Sequence, residues 1–293
     1  MSDIRPKNFS EMSNEKYIYV IAEIGINHNG SIETAKELID KSVEAGCDAV
    51  KFQKRSIDIV YSESTLNQPR KSPWGTTQRE QKEGLEFSLK EYDLINSYCK
   101  KQGIDWFASS WDCESQKIMR KYNFPFNKIA SAMAINKEFI ELVASEGIPT
   151  FASTGMTKIE DINYLISIFK RYNCPLMLMH TVSTYPSALE DLNLNCIKTL
   201  KEIYNLPIGY SGHEASLSPS VMAATLGAAA IERHITLDRA MYGSDQAASL
   251  QPEGFRQLTQ ILRNMPNILG DGEKRILKEE ELIASKLRYW LEK

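Results

Sequence analysis

The chain has only four histidines in 293 residues, and each falls at or just after the end of a short apolar run. His28 follows AEIGIN, His180 lies in LMLMHT, His213 follows IGYSG, and His234 closes AIERH. Imidazole binds metals and moves protons near neutral pH, so this placement predicts chemistry at strand ends. His213 and His234 form the sharpest pair, because neighbouring strands lie ~4.8 Å apart and can bring two rings to one ion. Glu23, near the end of the first run, and Asp245, after the last, are carboxylates that can reach the same place. Imidazole with carboxylate and no thiolate suits Mn²⁺, Mg²⁺, Fe²⁺, Co²⁺ or Zn²⁺ in an open site. The expected cofactor is one of these divalent ions.

A second group is cationic and hydroxylic. Lys51 and Gln53 stand two apart in KFQ, so they share one face of a strand while Phe52 takes the other. A lysine pointing into an interior needs an anion. Lys128 with Ser131, the pair Ser109 and Ser110, and Ser153 followed by Thr154 and Gly155 end three further runs. Hydroxyls and free N–H groups at a helix start, with two lysines, make a cradle for phosphate or carboxylate. Ser183 and Tyr185, in HTVSTYP, belong to the same end, and Pro186 keeps Tyr185 extended.

Eight β-rich runs must position these residues: 17–24, 48–53, 105–109, 127–131, 149–153, 175–181, 207–211 and 228–234. Amphipathic stretches such as SIETAKELIDKSVEAG, SLKEYDLINSYCKKQG and TKIEDINYLISIFKRYN separate them, each opened by an N-capping Ser or Thr. Strand and helix alternating eight times predict a (β/α)₈ TIM barrel, in which catalysis sits at the C-terminal strand ends. An open doubly wound sheet is the rival, but its Gly-rich phosphate turn is not matched by EIGINHNGS. The expected organisation is an N-terminal extension over 1–16, a catalytic barrel over 17–275 and a C-terminal helix over 276–293 packed on it. One long irregular stretch, 54–87, is expected at the barrel mouth.

With 35 Lys and Arg against 38 Asp and Glu, the net charge of -3 gives no basis for a nucleic-acid or membrane-surface partner. No stretch approaches the ~20 apolar residues of a membrane span, and the first sixteen residues are too polar for a signal peptide, so a cytoplasmic location is expected. Five scattered cysteines without a C-x-x-C pair are read as reduced packing residues.

Taken in order, AEIGINHNG (22–30), KFQ (51–53), KIASA (128–132), STGM (153–156), STYP (183–186), GYSGHE (209–214), ERHITLDRAM (232–241) and GSDQAASLQPE (243–253) resemble the barrel domain of the bacterial sialic acid synthases. That family joins phosphoenolpyruvate to N-acetylmannosamine, and the resemblance implies an N-acetylneuraminate synthase-like transferase. It implies that His213 and His234 hold the metal, and that Lys51, Ser110, Lys128, Ser131, Ser153, Ser183 and Ser211 hold phosphoenolpyruvate. Glu23, Gln53, Tyr185 and Asp245 match positions facing the sugar and the reacting carbon. By analogy a homodimer is expected.

Two residues depart from the family pattern: Met133 stands where a sugar-binding glutamate is usual, and Gln246 where a histidine is usual. The family's small C-terminal antifreeze-like domain is expected to be lacking, the chain ending at Lys293. These departures bear on the acceptor. Alternatives are a synthase of a non-acetamido eight- or nine-carbon keto-deoxy acid, and a non-catalytic barrel that binds a metal and a sugar acid. A phosphorylated acceptor would demand a second cationic cluster, with Arg55, Arg70 and Arg79 as candidates.

Overall fold

The computed structural model describes residues 6, 8–12 and 17–292, so much of the expected N-terminal extension lies outside the described residues. Eight parallel strands close into a barrel: β1 (Tyr19–Gly25), β2 (Ala49–Lys54), β5 (Asp105–Ser110), β6 (Asn127–Ile129), β7 (Thr150–Ser153), β8 (Leu176–Thr181), β9 (Ile208–Gly212) and β10 (Ala230–His234). Between β2 and β5 a separate hairpin pairs β3 (Pro69–Ser72) with β4 (Gly75–Thr77). Each barrel strand lies within two residues of an expected run. Closure sets β1 between β2 and β10, with Glu23 opposite Lys51 on one side and His234 on the other.

Period-two alternation divides the strand residues into two cores. Val20, Ala22, Val50, Phe52, Trp106, Leu176, Leu178, Tyr210 and Ile231 face outward and pack under the helices. The inward row is apolar at the N-terminal end, where Tyr19, Ile21, Ala49, Phe107, Phe126, Phe151, Met177, Met179 and Ala230 fill the barrel. The short helix Phe9–Met12 closes this end: the Phe9 ring stacks on Phe126 at 5.6 Å and meets Phe151 edge-on at 4.9 Å. Such pairs add about 0.5–1.5 kcal/mol each beyond burial. One or two positions further along each strand the same inward row turns polar. A packed aromatic floor thus lies beneath a polar mouth.

The helices begin where capping chemistry allows. Ser31 caps Ile32–Glu44 by accepting from the Thr34 N–H at 3.2 Å. Ser88 and Glu91 form a reciprocal capping box on Leu89–Gln102, which Gly103 closes at φ 69°. A cap of this kind contributes about 1 kcal/mol. The helix Ile159–Arg171 starts later than its Thr157 implied, with Asp161 accepting the Lys158 N–H at 2.8 Å.

Two expectations are corrected. The stretch 54–87 is ordered rather than irregular: it carries helices Ile57–Val60, Glu63–Leu66 and Gln78–Leu85 around the hairpin. The Thr77–Glu80 capping box and the ion pairs of Arg79 with Asp58, Glu63 and Glu83 hold it together. The C-terminal helix forms over Lys278–Leu287 but has no buried residue, and Leu282 and Trp290 are 71% and 59% exposed. It follows Gly270 and Gly272, both at positive φ, and adds nothing to the buried core.

Candidate active site

The polar ends of the inward rows surround a cavity of about 140 Å³ at the C-terminal end of the barrel. Glu23, Lys51, Gln53, Lys128, Ser131, Ser153, Ser183, Tyr185, Ser211, His213 and His234 all line it. Two expected residues do not. Ser110 is buried on the outward face of β5, with its hydroxyl unpartnered, and Ser109 takes the inward position instead, 3.5 Å from the Lys51 Nζ. Asp245 lines the neighbouring cavity, its Oδ2 3.8 Å from His234 Nδ1.

The charges are paired and almost wholly buried. Lys51 Nζ lies 2.8 Å from Glu23 Oε2 and 3.6 Å from Glu232 Oε1, while Gln53 donates to Glu23 Oε1 at 2.7 Å. Burial disfavours the Lys51 charge, but Glu23 and Glu232 outweigh it and hold the ammonium above its usual range. Lys128 donates to Ser153 Oγ at 2.5 Å and, among the described residues, has one carboxylate within ion-pair distance, Glu232 at 3.7 Å. Burial, reinforced by the nearby Lys51, pulls Lys128 down to about 8 despite Glu232. Glu232 itself is held below the carboxylate range, since Lys128 and Lys51 overcome its burial. Glu232 was not singled out from sequence. Its signal was position: two residues before His234 on one strand, it must share the inward face.

Gly155 makes room for the rest of the cradle. A Cβ there would meet Ser183 Oγ at 2.2 Å and Ser131 Oγ at 2.7 Å, and the Gly155 N–H already donates to Ser131 Oγ at 3.2 Å. The Ser183 hydroxyl is buried without a partner, aimed into space that a ligand oxygen would fill. Lys128, Ser131, Ser153, Ser183 and Gly155 together can bind a small dianion.

The opposite wall carries the imidazoles, with ring centroids 5.6 Å apart. His213 Nδ1 lies 2.7 Å from the Val182 carbonyl, which can only accept, so Nδ1 carries the proton and Nε2 presents a lone pair. Burial, and then His234, push His213 down to about 3, keeping it neutral. The buried His234 Nδ1 has no hydrogen-bond partner. Two imidazoles, one of them held neutral and oriented by a backbone carbonyl, fit a divalent ion. Among the described residues no group of three or more His, Cys, Asp or Glu is gathered to hold one, so further ligands would come from water or substrate. Outside the barrel wall, Arg233 pairs with Glu214 at 2.8 Å and donates to the Ser216 carbonyl, and Tyr210 donates to Glu214 at 2.8 Å. This buried pair anchors the segment that carries His213.

The other two histidines do not line this cavity. His180 alternates outward on β8 and bonds the Leu192 carbonyl at 2.7 Å. His28 stacks on Phe87 at 3.9 Å and accepts from the Gly30 N–H at 3.0 Å. Met133 is buried in the outer core, and Gln246 is buried in the loop after β10, bonded to Thr236. Neither lines the cavity.

Residues 38–274 match the model of the NeuB family. The N-acetylneuraminate-9-phosphate synthase of Mus musculus is 37% identical over 272 residues, covering 92% of this chain and 76% of that protein. The N,N'-diacetyllegionaminic acid synthase of Legionella pneumophila is 33% identical, covering 92% and 78%. In structure, the chain is similar to N-acetylneuraminic acid (sialic acid) synthetase from Leptospira borgpetersenii, with a TM-score of 0.81 and 30% identity over 93% of this chain and 92% of that one.

Proposed function

The chain belongs to the NeuB family, and on that premise we propose that it condenses phosphoenolpyruvate with the open-chain aldehyde of N-acetylmannosamine or a related sugar. The products are a 2-keto-3-deoxy sugar acid and inorganic phosphate. The observation that carries this reading is the facing of two walls across one barrel mouth. A lysine and hydroxyl cradle for a dianion stands opposite a pair of imidazoles.

Lys128 and the hydroxyls of Ser131, Ser153 and Ser183 bind the phosphate, and Lys51 adds charge stabilisation from β2. C3 of the enol attacks the aldehyde carbon, and the aldehyde oxygen, left as an alkoxide, takes up a proton from solvent to become a hydroxyl. A divalent ion held by His213 and His234 would serve as a Lewis acid for that oxygen. Glu23, clamped by Lys51 and Gln53, orients the water that adds at C2 and takes its proton. Collapse of the C2 centre breaks the C–O bond, and phosphate leaves into the lysine cradle. Tyr185, its ring 4.0 Å from that of His213, walls the acceptor side.

Purified protein with Mn²⁺ and phosphoenolpyruvate is expected to release phosphate when N-acetylmannosamine or a related aldose is added. His234→Ala is expected to abolish this release while the circular dichroism spectrum is retained. No release with any member of a panel of C5 and C6 aldoses and acetamido sugars, with or without metal, would refute the reading.

A further inference from the structure

The anion cradle contains a carboxylate of its own. Glu232, buried on the inward face of β10, lines the cavity with Oε1 3.6 Å from Lys51 Nζ and 3.7 Å from Lys128 Nζ. Ser211 donates to the same oxygen at 3.2 Å. Three groups expected to hold phosphoenolpyruvate therefore converge on one atom of the protein. The other oxygen, Oε2, is buried with no hydrogen-bond partner.

The distances decide what this carboxylate does. At 3.6 and 3.7 Å it is beyond good hydrogen-bond reach of either ammonium, so it attracts both charges without occupying their N–H donors. Lys128 keeps its donors for Ser153 and for a ligand, and Lys51 already has a close partner in Glu23 at 2.8 Å. Imidazoles aside, the charged side chains lining the cavity among the described residues are Lys51, Lys128, Glu23 and Glu232. With two of each sign, the cradle has donors for a dianion but no net positive charge. The bond to Ser211 does not account for this, since a glutamine amide oxygen would accept it equally and bury no charge.

We propose that Glu232 is a fixed counter-charge, which opposes a phosphate in the cradle and keeps its hold weak enough for the product to leave. A dianion gains from Lys51, Lys128 and the hydroxyls, and loses part of that gain to the carboxylate beside it. This rests on the synthase reading above for the identity of the anion, and deepens it to the release step.

The test is the binding of inorganic phosphate, read by calorimetry without metal near pH 6.5, to the parent chain and to Glu232→Gln, which keeps the side-chain shape. Glu232 also helps Lys128 to hold its proton, so the comparison is made both in the wild type and in Lys128→Arg, where the cation cannot be lost. Removing a like charge a few ångströms from the bound anion is expected to tighten phosphate binding about tenfold. Glu232→Asp, which keeps the charge, is expected to stay within about threefold of its parent. A supporting role for the lysines predicts the opposite sign. Phosphate binding unchanged or weaker with Glu232→Gln in both backgrounds, or an equal tightening with Glu232→Asp, overturns the proposal. In turnover with Mn²⁺, product phosphate is expected to inhibit Glu232→Gln at about a tenth of the concentration that inhibits the wild type. Tighter phosphate binding by Glu232→Gln, with no turnover of any sugar by the wild type, upholds the counter-charge and refutes the synthase reading instead.

Discussion

Lys128 offers a prediction whose size follows from its surroundings. Its ammonium sits 3.7 Å from one shared carboxylate and is otherwise enclosed, which brings its pKa from 10.5 to about 8. At about 1.4 kcal/mol per unit, that shift is a cost on the order of 3 kcal/mol for keeping the charge in the folded protein. The sign follows directly. The folded group binds its proton less tightly than the unfolded one, so below pH 8 the cost is fully present, and stability rises as pH climbs from about 8 toward 10.5. Phosphoenolpyruvate reverses the balance, since a dianion against Lys128 favours the ammonium. Binding above pH 8 must therefore take up a proton, and the apparent Kd is expected to weaken about eightfold between pH 7.5 and 9. Calorimetry without metal, in two buffers of different ionisation enthalpy, reads both the affinity and the proton uptake. Lys128→Arg removes the titration, because a guanidinium stays charged throughout this range. A flat affinity in the wild type, or the same fall in Lys128→Arg, would refute the assignment of Lys128 to the anion cradle.

Two further perturbations test the supporting structure. Gly155→Ala drives a methyl group into the Ser131 and Ser183 hydroxyls; it is expected to raise the KM for phosphoenolpyruvate by roughly tenfold, as loss of one or two such contacts does, and an unchanged KM would count against that wall. Arg233→Met leaves the fully buried Glu214 without its partner; urea unfolding is expected to show about 3–5 kcal/mol of lost stability, and a loss under 1 kcal/mol would show that the pair does not anchor the segment carrying His213.

Much of this protein is written locally. The recurrence of apolar runs and capped amphipathic stretches determines eight strands and their helices, because each element buries one face and the two periods, two and about 3.6, are visible in the residues themselves. The same rule placed Lys51 and Gln53 inside and Phe52 outside. Where the pattern is ambiguous by one residue, the sequence loses its grip, since a single step flips a side chain to the other face. Ser109 and Ser110 are chemically alike, and only the register of β5 against β2 and β6 turns Ser109 inward. His180 and Thr181 pose the same question, which β8 answers by sending the histidine outward.

Other features exist only after closure. Glu23 and His234 are 211 positions apart and become neighbours because β1 joins β10. The neighbouring cavity, lined by Arg55, Lys82 and Trp111, draws on three separate segments, and no spacing announces it. The sequence determined which groups stand at strand ends, whereas tertiary structure decided which of them share charge and space. The physical reason is range: propensity and periodicity act over a few residues, while ion pairing and desolvation depend on whatever folding brings within a few ångströms.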